Sequence, residues 1–124
     1  WTPGDGPVVQ GAAGSSRADG RADMSRAAEL LADELNAPVH HGFIAAIDPK
    51  FHEVVAEHQP KFAATYLLAE GFFSGKMRRD AESTGVPVKV AAPLVNAQGG
   101  ASAAVVAECF IDRMDAAIAQ LDAA

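Results

Sequence analysis

The sequence has a single cysteine, a single tryptophan, a single tyrosine and no long apolar run. One cysteine excludes a disulfide within the chain, and we expect Cys109, which has apolar neighbours, to be a buried structural residue. No run approaches the roughly 20 apolar residues that span a bilayer, and no basic-then-apolar signal peptide opens the chain. These absences predict a protein of the cytoplasm.

Basic residues are also in deficit, with 10 Lys and Arg against 16 Asp and Glu, and the formal net charge is -6. This balance argues against nucleic acid or an anionic membrane as the main partner, so an anion site would be a local basic spot. The 124 residues, 49% of them apolar, suffice for one domain with a core. We expect residues 1–6 to be a loose lead-in and residues 7–124 to form that single domain.

Apolar runs and helical patterns alternate along the chain. Strands are predicted at residues 7–10, 39–47, 62–69 and 86–91. Helices are predicted from about Asp23 to Leu35, from Pro49 with Asp48 as cap, from Lys76 to Ser83, and after a Ser102 cap. The last helix is expected to bury Val106, Cys109, Phe110, Met114, Ala117 and Leu121. The alternation predicts a doubly wound α/β fold with a four-stranded parallel sheet and helices on both faces.

In such a fold the strand-to-helix loops meet at the carboxyl edge of the sheet, where ligands bind. The loops at 11–20, 71–77 and 93–100 carry most of the glycine, serine and asparagine. The third strand leads into Glu70, two glycines and a charged segment that ends at Asp80. The sequence therefore places a candidate site at this edge.

Lys76 is the candidate catalytic residue of most interest. It is either a cation or desolvated amine in the cleft, or a solvated lysine in a first helical turn, where it opposes the helix dipole. Glu70 is either a general acid or base with a raised pKa or an ordinary carboxylate at a strand end. Arg79 and Asp80 form either a ligand clamp or a local surface pair.

Ser15, Ser16 and Asn96 are candidate ligand-binding residues in the loops at the same edge. The two serines precede a helix, so they either hold a carboxylate or phosphate or serve as a cap and turn. His40 and His41 are adjacent on a predicted strand and point to opposite faces, so they do not chelate one ion as a simple pair.

Two further histidines, His52 and His58, are expected on different sides of a helix and in solvent. No zinc, nucleotide or nucleophile-elbow motif occurs in the sequence. We expect no metal ion and no cofactor.

Four segments resemble the small, single-domain sirohydrochlorin chelatases of the CbiX and SirB type. They are VVQGAAGSSR at 8–17, FIAAIDPKFHE at 43–53, SGKMRRD at 74–80 and VKVAAPL at 88–94. The first resembles the family's strand followed by Gly-His-Gly-Ser, and the third resembles its Gly-Gly-His-Val-x-x-Asp segment. The order and the chain length both agree with the family. The resemblance implies a chelatase-like fold and a homodimer whose two cleft edges face each other.

The family inserts cobalt, iron or nickel into a tetrapyrrole dicarboxylate with the help of two histidines and a carboxylate. Here the first histidine position falls at Ala12 or Ala13 and the second at Lys76. The family's glutamate falls near Ala45 and its last-loop histidine near Ala97. Alanine does not ligate metal, and lysine ligates poorly while it is charged. The resemblance thus implies a retained scaffold without its metal site.

Three functions follow from this reading. The first is metal-independent chemistry on an acidic small molecule that Lys76, Arg79, Ser15, Ser16 and Asn96 bind or polarise. The second is a tetrapyrrole chelatase, a lyase, that uses other ligands such as His41 with Glu70. The third is a non-catalytic protein that binds a tetrapyrrole or another metabolite.

Overall fold

The computed structural model describes residues 1–45, 47–97 and 99–123. The strands are β1 (Val8–Ala12), β2 (Val39–Phe43), β3 (Phe62–Tyr66) and β4 (Lys89–Val90). The helices are α1 (Ala18–Leu35), α2 (Phe51–His58), α3 (Phe72–Ser83) and α4 (Ala101–Ala123). All neighbouring strands are parallel, in the order β2-β1-β3-β4. The predicted α/β class with a four-stranded parallel sheet is confirmed.

Several element boundaries differ from the predicted ones. The first helix begins at Ala18, and the third begins at Phe72, where the Ser74 hydroxyl accepts a hydrogen bond from the Gly71 amide. The predicted Asp48 cap is wrong, because Lys50 occupies the N-cap position of α2. The predicted second strand and last loop include Ala46 and Gln98, which lie outside the described residues, as does Ala124.

The main core lies on one face of the sheet, beneath α2 and α3. Val9 and Gly11 of β1 project toward this face, where a Cβ atom on Gly11 would meet Met77 and Phe51. The buried cluster on this side comprises Val9, Ile44, Phe51, Val54, Val55, Ala63, Met77 and Ala81. Burial of these side chains is the main driving force that holds α2 and α3 to the sheet.

Helix α1 packs on the other face, where the Gln10 side chain donates a hydrogen bond to the Met24 carbonyl. Strand register puts Phe62, Ala64 and Tyr66 on this same face. Beside α1, this part of the sheet forms an open apolar groove that Trp1 also lines. Within residues 1–6, Pro3–Asp5 form a 3-10 turn in which the Asp5 amide donates a hydrogen bond to the Thr2 carbonyl.

Helix α4 differs from the others because none of its described residues is buried. The predicted burial of its apolar side chains is wrong for the single chain, and Cys109 is exposed. Among the described residues, no helix has both the length and the apolar content that crossing a membrane requires.

Candidate functional site

Lys76 lies in the first turns of α3 and ties this helix to the end of β2. Its Nζ atom donates to the Ile44 carbonyl at 2.9 Å and to Asp80 Oδ2 at 2.7 Å. The lysine side chain is 36% exposed and the aspartate side chain 22%. The interpretation of Lys76 as a freely solvated lysine is wrong. An ammonium has three N–H donors, so one remains for a further acceptor.

A pocket of about 260 Å³ lies beside this ammonium. It is lined by Phe43, Ile44, Ala45, Lys50, His52 and Lys76. Lys50 and His52 were missed by sequence reasoning, because nothing in their spacing links α2 to Lys76. Gly42 allows Lys50 and His52 to lie beside Lys76, because it lets the start of α2 approach β2 closely. A Cβ atom at position 42 would lie 2.6 Å from Phe51 Cα, so only glycine fits there.

Glu70 belongs to a different group of contacts. It accepts hydrogen bonds from Arg78 at 3.0 Å and from the Ser74 hydroxyl at 2.7 Å. The Arg78 guanidinium, with help from Ser74, lowers the pKa of Glu70. The expectation of a general acid with a raised pKa is therefore wrong, and Glu70 is an ion-paired carboxylate that is half exposed.

The proposed clamp of Arg79 and Asp80 does not form. Asp80 pairs with Lys76 four residues earlier, because that spacing places two side chains on one helix face. Arg79 is exposed and makes no ion pair within the described part of the chain. The two neighbours in sequence therefore have separate surroundings.

The predicted binding residues do not meet in one cavity. The Ser15 hydroxyl accepts a hydrogen bond from the Arg17 amide at 3.1 Å, a turn at the start of α1, and Ser16 is exposed. Asn96 lines a separate depression of about 670 Å³ with Glu70. Of the predicted residues, Lys76 alone lines the cationic pocket beside β2.

Two histidines form a stacked pair at the other end of the sheet. His40 and His41 do point to opposite faces, as predicted, since they pair with Val9 and Gln10 of β1. The His40 ring lies 3.6 Å from the His58 ring, with an angle of 5° between the planes. His58 is thus not in free solvent, whereas His52 is exposed as predicted.

This stack predicts a loss of stability on acidification. Burial, and next the His58 charge, lowers the pKa of His40 below its usual value of about 6.5, so folding favours the neutral ring. The stability that the neutral His40 ring gives the fold is fully present above about pH 6.5. It is lost as the pH falls below that value, because the unfolded chain then binds more protons than the folded one. A His40→Asn variant should lose less stability than the natural chain between pH 7.5 and pH 5, measured by urea unfolding.

The chemical shifts of the His40 ring test the cause directly. A His58→Gln variant removes the second ring, so the pKa of His40 should move back toward its usual value in an NMR titration. An unchanged His40 titration in that variant would contradict the assignment.

Three of the positions that the chelatase resemblance assigns to metal ligands, near Ala13, Ala45 and Lys76, lie close together at the carboxyl edge, whereas Ala97 lines a separate depression. The Ala45 amide donates to the Ala13 carbonyl at 3.0 Å, and Lys76 binds the neighbouring Ile44 carbonyl. Within residues 1–45, 47–97 and 99–123, no three His, Cys, Asp or Glu side chains form a metal-binding group.

Comparison with family models, with curated proteins and with solved structures finds no significant match to this chain. The chelatase resemblance therefore rests on the sequence motifs alone, and what it implies for function stays a prediction.

Proposed function

We propose that the pocket beside Lys76 binds a small molecule with a carboxylate group, without help from a metal ion. The observation that carries this proposal is the grouping of Lys76, Lys50 and His52 around one pocket in a chain whose net charge is negative. Two lysines beside one pocket on an acidic protein attract a small anion and give it charge-assisted hydrogen bonds, and His52 adds a ring nitrogen as a further polar group.

The hydrogen bonds of Lys76 favour a binding role over a nucleophilic one. Its Nζ atom forms an ion pair with the Asp80 carboxylate at 2.7 Å and also donates to the Ile44 carbonyl. A nucleophilic lysine acts through a neutral amine with a free lone pair. Lys76 therefore orients a carboxylate, while Asp80 and Ile44 hold the ammonium in place.

The size of the pocket favours a small metabolite. A volume of about 260 Å³ lies below the range of about 300–1,000 Å³ that is typical of sites for drug-sized ligands. A tetrapyrrole, which the chelatase resemblance implies, could place only one of its carboxylates here. The proposed location is the cytoplasm, on the sequence grounds given above.

The proposal predicts that small carboxylates bind and that Lys76→Gln weakens this binding. We expect saturable calorimetric binding of acetate, succinate or citrate and none of succinamide, which lacks the charge. Loss of a hydrogen bond to a charged group costs about 1.5–3 kcal/mol, so the Lys76→Gln variant should bind at least about tenfold more weakly.

Arg79→Gln is the matched control, because it removes a cation from the same helix outside the pocket. It should leave the affinity within about twofold. Equal losses of affinity in both variants would show that only the net charge of the protein matters. The absence of saturable binding of any of the three carboxylates would contradict the proposal. Addition of sirohydrochlorin and then cobalt tests the chelatase alternative. That alternative requires cobalt insertion to be faster with the protein than in solution without it.

A further inference from the structure

The apolar groove beside α1 is a large uncovered part of the sheet. Leu31 and Leu35 of α1 form one wall, and Phe62 and Ala64 of β3 form the floor. The volume of this part is about 390 Å³. A second part of about 370 Å³ shares Leu31 and Ala64 and continues to Tyr66, which is 44% exposed. Soluble proteins seldom leave a large apolar surface in contact with water, so we expect another element to cover this groove.

Helix α4 has an apolar stripe that is exposed along its length. Phe110, Met114, Ala117, Ile118 and Leu121 recur at the three- and four-residue spacing of one helix face, and we call them the α4 stripe. Phe110 is 55% exposed, Met114 62% and Leu121 77%. Glu108, Asp112 and Asp115 lie on the opposite side of the helix. The helix thus has the pattern of one that packs on a sheet, without a sheet beneath it.

The segment before α4 is anchored to the end of β3. The amides of Leu94 and Val95 donate to the Leu67 and Leu68 carbonyls, which fixes this segment to the end of β3. The Ser102 hydroxyl then donates to the Leu94 carbonyl at 2.8 Å and fixes the first turn of α4. From that anchored start, none of the described residues of α4 becomes buried.

Two consecutive glycines precede the helix. Gly99 has a φ of 75° and Gly100 a φ of 113°, which are left-handed values that other residues rarely adopt. They lie immediately before the first residue of α4. The backbone immediately before α4 therefore has a conformation that favours glycine at both positions.

The α4 stripe matches the groove in length and chemistry. The five residues of β3 span roughly 17 Å at the usual strand rise. The stripe from Phe110 to Leu121 also spans roughly 17 Å at the helix rise. In a doubly wound sheet, the helix after the fourth strand is the element that covers this kind of surface. The open groove and the exposed α4 stripe therefore match each other as a sheet surface and the helix that packs on it.

We infer that two copies of this chain exchange their α4 helices, so that the stripe of each copy fills the groove of the other. The occupant is a second copy because the first turn of α4 is anchored at Leu94 and none of the described residues of the helix is buried on its own sheet. The exchange is reciprocal and closes a two-fold dimer. Its interface is the α1 face of the sheet, whereas the dimer that the chelatase resemblance implies uses the cleft edges.

The single tryptophan and the single cysteine allow a direct test. Trp1 lines the groove, and Cys109 is exposed on α4 outside the stripe. A Trp1→Phe chain labelled at Cys109 with a dansyl acceptor is unfolded together with unlabelled natural chain, and the mixture is refolded. Energy transfer from Trp1 to dansyl in this mixture arises only between subunits.

We expect this intersubunit transfer and a light-scattering mass of twice 12.8 kDa for the natural chain. Met114→Asp places a charge in the stripe and should weaken the dimer at least about tenfold, since it replaces an apolar contact of the interface with a carboxylate that has no partner there. Ala116→Asp introduces the same charge on the other side of α4 and should leave the dimer intact. Circular dichroism checks that both variants are folded.

A monomer at micromolar concentration would overturn the inference, and so would a dimer that survives Met114→Asp. A chain that keeps Trp1 and is labelled at Cys109 carries both the donor and the acceptor. Energy transfer in that chain, without any transfer in the mixed sample, would show that α4 folds back onto the groove of its own chain. Species larger than a dimer would contradict the reciprocal exchange. None of these results depends on whether a carboxylate binds beside Lys76.

Discussion

Replacing Phe51 with alanine should lower the free energy of unfolding by about 3–5 kcal/mol. Phe51 is fully buried at the start of α2, in the cluster with Val9 and Met77. Truncation removes its transfer free energy from the folded state and leaves a cavity between α2 and the sheet. Urea unfolding followed by circular dichroism measures the change, and the natural chain is the reference.

Phe72→Ala is the matched control, because the same side chain is removed where it is 70% exposed. Its effect should stay within about 0.5 kcal/mol, as is usual at surface positions. Similar losses in the two variants would show that the core does not lie beneath α2 and α3.

Replacing Gly42 with alanine should cost about 1–3 kcal/mol of stability. The new Cβ atom would lie 2.6 Å from Phe51 Cα and 3.0 Å from its amide nitrogen. Because these contacts are with backbone, the start of α2 must move away from β2. That movement shifts Lys50 and His52, so the binding of succinate should weaken as well. Unfolding and calorimetry on the same protein sample measure both effects.

Gly71→Ala provides the comparison, since nothing lies within 4 Å of a Cβ atom at that position. Its backbone is extended, with a φ of 170°, which any residue adopts. A Gly42→Ala variant as stable as Gly71→Ala would contradict the close approach of α2 to β2.

The fold class was predictable because the alternation of short apolar runs and amphipathic segments leaves few arrangements open. The starts of the helices were less predictable, because hydrogen bonds of single side chains with the backbone determine them. The turn at Ser15 and the bond between Ser74 and the Gly71 amide start their helices earlier than the apolar spacing indicates.

Within the candidate site, the sequence identified Lys76 but not its surroundings. One acceptor of Lys76 is the Ile44 carbonyl, a backbone group that lies 32 residues earlier and carries no signature in the sequence. The other acceptor, Asp80, follows the helical spacing of four residues, and the adjacent Arg79 was the wrong partner. Ion pairing with Arg78 likewise reverses the expected pKa shift of Glu70.

The last helix shows a different limit of the sequence pattern. Its apolar spacing indicates a buried face, but the pattern does not tell whether the covering sheet belongs to the same chain. The anchoring of Ser102 to the Leu94 carbonyl is a tertiary feature that this pattern does not predict.

The most direct test of the proposed function is an NMR map of where succinate binds. We predict saturable shifts of the amides of Ile44, Lys50, His52 and Lys76, with succinamide producing none at the same concentration. The Lys76→Gln variant should lose these shifts at succinate concentrations that saturate the natural chain. Shifts confined to other parts of the surface, or no saturable shift at this pocket, would contradict the proposal that a carboxylate binds beside Lys76.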